Sequence, residues 1–324
     1  MAKFRPIAEA IRKEIEDGRY APKERLPTES QLVARFKVSR PTVARALRVL
    51  EDEGLLDRRV GSGTYLKKAP QTGAGKLGLI VPALGKTEIF DPICAELFRH
   101  THDNRFTLLS SGSRRDEPDA RAQQAEELCH RFIREQVSGV FFAPIELIPE
   151  DEAINHRITE ALDAAGIPIV LLDRDTCKFP RRSKFDLVGI DNFAAGFELT
   201  QHLVQLGCRR INFVAHPHSA ATVDLRIAGW REAMVRAGLE HDASRVCSGF
   251  TSDDAFVRAT LQRGRPEAII CANDMTAAVF MQTLTRIGIK VPADVRLVGF
   301  DDLKYASLLP IPLTTMHQPC QEIG

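Results

Sequence analysis

The sequence predicts an α/β protein in two parts: a small N-terminal helical module with a β wing, and a large body of two doubly wound lobes with parallel sheets. Apolar residues recur at helical spacing before residue 55, whereas short apolar runs alternate with helical stretches after residue 76. A polar stretch rich in small residues separates the two patterns. With 324 residues, 44% of them hydrophobic, the chain exceeds one ordinary domain and has apolar side chains for several cores.

The N-terminal module begins with two predicted helices. In the first, Ile7, Ile11 and Ile15 repeat every four residues and share one apolar face. The second opens in "LPTESQLVARF", where Thr28 and Gln31 have the spacing of a capping box. In that motif each side chain satisfies a backbone N–H group at the start of the helix, so we expect the second helix to begin directly after Thr28.

The third predicted helix occupies "SRPTVARALRVLEDEG". Ser39 is a good N-cap, Pro41 is tolerated in the first turn, and Gly54 is suited to the left-handed conformation that ends a helix. The exposed face near the N-terminus of this helix is then formed by Arg40, Thr42 and Arg45.

A β wing is predicted to follow, with strands at 55–59 and 64–66 paired around Gly61 and Gly63. Three helices and a wing form a winged helix–turn–helix, whose third helix enters the major groove of DNA. An arginine there can grip guanine through two hydrogen bonds, while Ser39 and Thr42 suit phosphate oxygens. A small helical protein-interaction domain is the alternative interpretation.

The charge distribution favours a polyanionic partner for the N-terminal module. Residues 1–68 carry 16 Lys and Arg against 10 Asp and Glu, whereas the remainder carries 28 against 33. The overall net charge of +1 therefore hides a basic module and an acidic body. Chance scatter of surface charge explains the same numbers equally well.

The sequence of the body predicts strands that alternate with helices. The predicted strands lie in "LGLIVP", "RFTLLSS", "GVFFAP", "IPIVLLD", "DLVGID", "RINFVA", "AIICAN" and "VRLVGFDD". The predicted helices span residues 94–102, 119–135, 152–165, 193–206, 223–237, 253–262 and 275–287. Strands that are apolar on both faces indicate parallel sheets covered by helices, and the length of the body favours two lobes.

Polar residues follow several of these strands. Asp173, Asn273 and Asp301 stand at strand ends, which is where ligands bind in doubly wound sheets. Each has a simpler interpretation as a helix cap or turn residue, and Asn273 in particular could cap the helix that begins near Met275.

Other classes of protein receive little support. The body has no Gly-x-Gly-x-x-Gly opening a helix and no phosphate-binding loop motif, although a small-molecule enzyme remains an alternative. The seven scattered cysteines form no Cys-x-x-Cys pair, so we expect free thiols, no metal site and no cofactor. Without an apolar run of membrane-spanning length or a signal peptide, we expect a cytoplasmic protein.

The N-terminal sequence resembles that of the GntR-type winged-helix regulators. The resemblance covers residues 4–68 and rests on "YAPKERLPTESQLVARFKVSRPTVARALRVLEDEGLL" followed by "GSGTYL". It implies that the third helix and the wing lie against DNA, through Ser39, Arg40, Thr42, Arg45, Gly61 and Gly63.

The body resembles the effector domain of LacI/GalR regulators, which shares the type I fold of periplasmic sugar-binding proteins. The motifs that carry this resemblance are "VGIDNFAAGFELTQHLVQLGCRRINFV", "LRIAGWREAM", "AIICANDMTAA", "VPADVRLVGFDD" and "PLTTMHQP". The family's effector-binding positions correspond to Phe90, Asp173, Arg226, Phe250, Asn273, Asp301 and Gln318. The combination of this head and body is similar to arabinose-responsive repressors.

The resemblance implies residues 1–68 as the DNA-binding domain, 69–76 as a linker and 77–324 as the effector domain. Relatives continue beyond "QPCQEIG", so we expect this effector domain to be incomplete at its C-terminal end. We expect a homodimeric repressor that binds operator DNA and responds to a sugar or a related small molecule. A sugar-binding transport protein without a DNA role is the alternative, and the basic N-terminal module argues against it.

Overall fold

The chain divides into two compact units, Met1–Gly75 and Lys76–Gly324, and each is described by itself. The computed structural model describes residues 4–16, 19–20, 25–52, 55–59, 63–66, 75–81, 89–104, 106–110 and 118–324. Most of the predicted linker, residues 69–74, lies outside the described residues, and so does Gly61.

The N-terminal unit is a winged helix–turn–helix. Its elements in chain order are α1 (Arg5–Glu16), α2 (Glu29–Phe36), α3 (Arg40–Asp52), β1 (Leu56–Arg59) and β2 (Gly63–Leu66). The predicted face of α1 is buried against α3, and the capping box predicted at Thr28 and Gln31 is present with both hydrogen bonds. The two strands form an antiparallel hairpin in which Leu56 is opposite Leu66.

The first lobe of the body is a five-stranded parallel sheet with strand order β4-β3-β5-β6-β7. Its elements are β3 (Lys76–Ile80), α4 (Phe90–Asp103), β4 (Thr107–Leu109), α5 (Pro118–Arg134), β5 (Gly139–Phe142), α6 (Asp151–Ala164), β6 (Ile169–Leu172) and β7 (Asp186–Val188). Apolar side chains of β3, β5 and β6 are buried on both faces, which explains why these strands read as continuous apolar runs.

The second lobe repeats this architecture with strand order β12-β11-β10-β8-β9, again all parallel. Its elements are α7 (Asn192–Gln205), β8 (Ile211–Ala215), α8 (Ala221–Arg236), β9 (Val246–Ser248), α9 (Asp254–Gln262), β10 (Ala268–Cys271), α10 (Asp274–Arg286), β11 (Arg296–Asp301) and β12 (Thr314–His317). A last short helix, α11 (Cys320–Ile323), packs on α4 and so belongs to the first lobe.

The predicted fold class is confirmed, and the seven predicted body helices are observed with small changes at their ends. The strands β9 and β12 were not predicted. Both are edge strands of three or four residues, and the exposed or half-buried Thr314, Thr315 and His317 break the apolar pattern used to find strands.

Helices α7 and α8 pack unusually close together because each contributes a glycine to the contact. A Cβ atom on Gly196 would lie 2.2 Å from the carbonyl oxygen of Arg226, and one on Gly229 would lie 2.1 Å from that of Phe193. Neither position therefore has room for a side chain. This contact sets the position of the α8 backbone that carries Arg226.

No helix among the described residues is long and apolar enough to cross a membrane.

Candidate DNA-contacting helix and effector cleft

The N-terminus of α3 presents polar and basic side chains on the surface of the first unit. Ser39 lies just before α3 and Thr42 lies in its first turn, and Ser39 Oγ is 2.8 Å from Thr42 Oγ1. The side chain of Arg40 is 74% exposed, and its Nε donates to Glu29 Oε2 at 3.1 Å. Arg45 is exposed and its guanidinium lies 4.7 Å from the centre of the Phe4 ring. These four predicted residues thus lie in the turn before α3 or in its first two turns.

The wing requires glycine at Gly63. Its φ of +126° lies in a region that side-chain-bearing residues rarely adopt. A Cβ atom there would also meet Arg25 Nε at 2.6 Å. The N–H of the neighbouring Leu26 donates to Thr64 O at 2.8 Å, so the segment before α2 is attached to the wing.

In the body, Arg226 forms the centre of a buried polar cluster. Its residue is 4% exposed, Nε donates to Asn192 Oδ1 at 2.8 Å, and Nη1 donates to the carbonyl of Ala272 at 2.6 Å. Nη2 lies 3.7 Å from Asp301 Oδ1, and the guanidinium stacks 4.5 Å from the centre of the Phe300 ring. Helix α7, strand β11 and the residue that follows β10 therefore hold this side chain.

Asp301 completes the cluster at the end of β11. Gln318 Nε2 donates to Asp301 Oδ1 at 2.8 Å from the segment that follows β12. Burial raises the pKa of Asp301 to about 7, although Arg226 and Gln318 each lower it. The charge of Asp173 raises this pKa further.

Asp173 lies at the end of β6 and is 4% exposed. Its Oδ2 accepts a hydrogen bond from Arg174 Nε at 3.2 Å. Arg174 is also buried, and its guanidinium lies 5.2 Å from the centre of the Phe90 ring. Burial alone would lower the pKa of Arg174, but the charges of Glu146 and Asp173 outweigh that effect and raise it.

Two of these residues have strained backbones. Asp173 has a φ of +67° and Asp301 a φ of +108°. Such conformations cost a non-glycine residue about 1–3 kcal/mol and cluster at binding sites. The strain at both strand ends is therefore consistent with a binding role for these carboxylates.

Two buried acceptor atoms in this region have no hydrogen-bond partner within the described part of the chain. They are Asp173 Oδ1 and Gln318 Oε1. An unsatisfied buried acceptor costs about 1–3 kcal/mol, so both atoms are suited to receive hydrogen bonds from a ligand that donates.

Two cavities lie in the part of the cleft that the structure describes. One, of about 440 Å³, is lined from both lobes by residues 173–175, 189–192 and 221–222, with others. The second, of about 700 Å³, is lined by Asp301 and Gln318 together with the first turn of α4. Phe90, Arg226, Phe250 and Asn273 line neither cavity.

Asn273 and Phe250 stand apart from the buried cluster. Asn273 Oδ1 accepts from Thr276 N–H at 2.8 Å and caps α10, which is the simpler of its two sequence interpretations. Phe250 is 58% exposed and makes an edge-to-face contact with His216, with ring centres 4.7 Å apart. No hydrogen bond or ring contact described in the structure joins either residue to Arg226 or Asp301.

Two residues that contact the predicted site residues, Asn192 and Arg174, were not predicted from the sequence. Asn192 is 3% exposed and accepts a hydrogen bond from Arg226. In the sequence only its neighbour Asp191 has a recognisable role, as the N-cap of α7. Arg174 directly follows Asp173, a predicted site residue at a strand end, and its position next to Asp173 could have identified it.

Family profiles match both units of the chain. The profile of the bacterial regulatory proteins of the gntR family matches residues 4–66, and that of the periplasmic binding protein-like domain matches residues 200–324. A DNA-binding head joined to a two-lobed binding domain defines the class of ligand-responsive DNA-binding regulators.

Curated relatives and solved structures agree with that class. The arabinose metabolism transcriptional repressor of Geobacillus stearothermophilus is 28% identical, over 100% of this chain and 88% of the relative. The ribose operon repressor of Escherichia coli K12 is 34% identical, over 76% of this chain and 72% of the relative. A solved transcriptional regulator CelR–cellobiose complex superposes with a TM-score of 0.64 and 25% identity, covering 88% of this chain and 81% of the other. The chain belongs to the family of bacterial transcriptional regulators that includes the ribose operon repressor, with a GntR-type head at its N-terminus.

Proposed function

We propose that this protein is a homodimeric repressor that binds operator DNA through α3 and the wing and releases or regains it when a sugar binds the body. The observation that carries the effector assignment is the buried cluster of Arg226, Asp301 and Gln318, close to the Asp173–Arg174 pair. Sugars present several hydroxyl groups that both donate and accept, and the cluster and the pair together offer two guanidiniums, two carboxylates and the Gln318 amide.

The unpartnered acceptors support a polyhydroxyl ligand in particular. Asp173 Oδ1 and Gln318 Oε1 each lack a donor among the described residues, and a hydroxyl group would supply one. The Phe90 ring lies against the Arg174 guanidinium and so supports that side chain rather than lining either cavity. The names of the relatives, which mention arabinose, ribose and cellobiose, favour the same class of ligand.

The DNA role rests on the exposed basic surface of α3 and on the family match. The head distinguishes this chain from a transport protein with the same body, and its relatives are regulators rather than enzymes. A single head makes few base contacts, so a homodimer on a two-fold operator is proposed. Because its DNA target lies there, we place the protein in the cytoplasm, and we assign it no catalytic activity.

A sugar panel tests the effector assignment. Thermal unfolding of the purified protein is followed with L-arabinose, D-ribose and cellobiose, each at millimolar concentration. A ligand at 100 times its Kd stabilises the folded state by about 2.7 kcal/mol, so at least one sugar is expected to raise Tm by several degrees. If neither pentose nor the disaccharide shifts Tm, the sugar assignment is contradicted.

Substitutions in α3 test the DNA assignment. Arg40→Ala and Arg45→Ala each remove an exposed positive charge from the proposed groove-facing surface. Each is expected to weaken operator binding about fivefold or more, since a good arginine–guanine pair contributes about 1–3 kcal/mol and about 1.4 kcal/mol is tenfold. Arg236→Ala, which removes an exposed arginine of α8, is the control and leaves DNA affinity unchanged. Equal affinities for all four proteins would contradict the assignment.

A further inference from the structure

Glu146 lies in the loop between β5 and α6 and contacts both lobes of the body. One carboxylate oxygen, Oε1, forms an ion pair with Arg174 Nη1 in the first lobe. The other, Oε2, accepts a hydrogen bond from the backbone N–H of Ala220 in the second lobe at 3.2 Å. A single side chain thus joins the two halves of the binding domain.

On the first-lobe side, Glu146 is one contact away from the proposed effector site. Arg174 has a side chain only 7% exposed, and its Nε donates to Asp173 Oδ2. The same guanidinium lies over the ring of Phe90. Without Glu146, this buried guanidinium would keep only one carboxylate partner, and a buried charge that loses a partner is strongly destabilised.

On the second-lobe side, Glu146 holds the start of the helix that carries Arg226. Ala220 is the N-cap residue of α8 and makes no side-chain cap, so Glu146 also supplies an anionic partner at this helix N-terminus. Next to it, the N–H of Leu147 donates to the carbonyl of His218 at 2.8 Å. The two neighbouring hydrogen bonds form a cross-lobe latch made by residues 146–147 and 218–220.

We propose that Glu146 is a positioning residue that couples effector binding to the spacing of the lobes, by holding Arg174 with one carboxylate oxygen and the N-terminus of α8 with the other. The inference rests on the proposed effector function of the cleft. The latch keeps the lobes at the separation in which Asp173, Arg174 and the α8 helix can contact one ligand. Apparent affinity scales with the population of the binding-competent state, so loosening the latch weakens sugar binding.

Three substitutions separate the two roles of Glu146. Glu146→Ala removes both contacts. Glu146→Gln keeps an oxygen for the Ala220 N–H but carries no charge for Arg174. Ala220→Pro removes only the cross-lobe donor, and the φ of −58° at Ala220 already suits proline.

The matched control is Ala221→Pro, one residue further along. Residue 221 is the first residue of α8, a position where proline is favoured, and the ψ of 160° at Ala220 suits a residue that precedes proline. This variant keeps the Ala220 N–H and its bond to Glu146. It therefore controls for the general effect of proline at this helix start.

Amide hydrogen exchange on the full-length protein without ligand tests the latch. The reporter is the amide of Leu147, whose own acceptor, His218 O, is untouched by every substitution. We expect Glu146→Ala and Ala220→Pro to speed its exchange about tenfold, and Glu146→Gln and Ala221→Pro to leave it near the wild-type rate. An unchanged Leu147 rate in both Glu146→Ala and Ala220→Pro would show that the contacts are independent and overturn the inference.

Calorimetry with L-arabinose, D-ribose and cellobiose tests the coupling. For a sugar that binds the wild-type protein, we expect Kd to rise at least tenfold in Glu146→Ala, to a smaller extent in Ala220→Pro and Glu146→Gln, and less than twofold in Ala221→Pro. A Glu146→Ala protein that binds this sugar with wild-type Kd would overturn the inference. If the wild-type protein binds none of the three, the sugar assignment loses its support while the exchange experiment still decides whether the latch exists.

Discussion

Arg226 divides its guanidinium among three partners, the Asn192 amide, the Ala272 carbonyl and the Asp301 carboxylate. A planar fork of five N–H groups can serve these partners and still orient a ligand hydroxyl, whereas a lysine ammonium is a single flexible point charge. We therefore propose that the geometry of the fork, and not the positive charge alone, is required at this position.

Arg226→Lys tests that requirement. We expect at least a tenfold loss of sugar affinity by calorimetry, with duplex DNA affinity in the absence of sugar unchanged. Arg236→Lys on the same helix is the matched control, because Arg236 is exposed and paired only with Glu232 among its described ion pairs. A lysine variant that binds sugar as well as the wild type would show that Arg226 is not an effector ligand.

The raised pKa of Asp301 predicts a pH dependence near neutrality. Burial holds the pKa of Asp301 at about 7, so the carboxylate form, which we propose accepts ligand hydroxyls, becomes populated as pH rises through 7. Sugar affinity measured by calorimetry is expected to increase from pH 6 to pH 8. Asp301→Asn is expected to bind more weakly and to lose this dependence, and an equally steep profile in that variant would assign the titration to another group.

The raised pKa of Asp301 also affects the stability of the protein without ligand. Here a rise in pH is unfavourable, whereas it is expected to favour sugar binding. Asp301 binds its proton more tightly in the folded state than in the unfolded state, in which its carboxyl has the ordinary pKa of 3.8. The folded state therefore holds more protons between about pH 4 and 7, and the free energy of unfolding falls as pH rises through that window. Asp274, whose pKa burial raises to about 6, contributes in the same direction.

Glu29 in the head restrains two arginines at once. Its Oε2 accepts from Arg40 Nε, and its Oε1 accepts from Arg58 Nη2 at 2.5 Å. We expect Glu29→Gln to bind a random-sequence duplex more tightly and with a steeper salt dependence, because two arginines become free to meet phosphates and one repulsive charge is lost. Anisotropy titrations between 50 and 200 mM salt measure both effects, with Glu51→Gln at the far end of α3 as the control. An unchanged slope would show that Glu29 does not restrain DNA contacts.

At the scale of elements, the sequence predicted most boundaries but few cross-element contacts. Thr28 and Gln31 predicted the start of α2 because a capping box acts within four residues. The Asn192–Arg226 hydrogen bond joins residues 34 positions apart. Such a partner is decided by how α7 and α8 pack, and no local signal encodes it.

The expectation that ligand-binding residues follow the strands located polar residues at strand ends well, but it did not distinguish what each residue does. It predicted Asp173 and Asp301, which the structure places in strained conformations at the ends of β6 and β11. It did not separate Asn273, whose side chain caps α10, from the residues of the buried cluster. Capping and ligand binding use the same residue types at the same strand ends, so only the geometry distinguishes them.

The close contact between α7 and α8 gives a prediction for an element rather than a side chain. Gly196→Ala would place a methyl group 2.2 Å from the Arg226 carbonyl, so α8 must move away and shift Arg226. We expect a loss of about 1–3 kcal/mol in the free energy of unfolding, together with weaker sugar binding.

Gly139→Ala is the control for that substitution. A methyl group at Gly139 in β5 meets its nearest neighbour at 3.5 Å, which is ordinary contact. Urea unfolding and calorimetry are expected to show wild-type stability and affinity for this variant. If Gly196→Ala were equally stable and bound sugar normally, the close packing of α7 and α8 would not be what positions Arg226.

At the scale of the whole molecule, control of DNA binding by a sugar requires that the two units, which bind different ligands, be energetically coupled. The basic first 68 residues are suited to DNA, and the acidic remainder contains the buried polar cleft. A sugar changes the DNA-binding state only by as much as its affinity differs between the two states. A complete switch from 1:99 to 99:1 requires about 5.5 kcal/mol of such difference, and a coupling of 1–3 kcal/mol is typical.

The most direct test is the affinity of the full-length protein for duplex DNA from the region upstream of its own gene, measured by anisotropy with and without the sugar that raises its Tm. We expect binding that weakens steeply with salt and that changes at least tenfold at saturating sugar, with Arg226→Lys retaining the DNA affinity and losing the sugar response. An affinity for this duplex that is insensitive to salt, or identical with and without the bound sugar, would contradict the account.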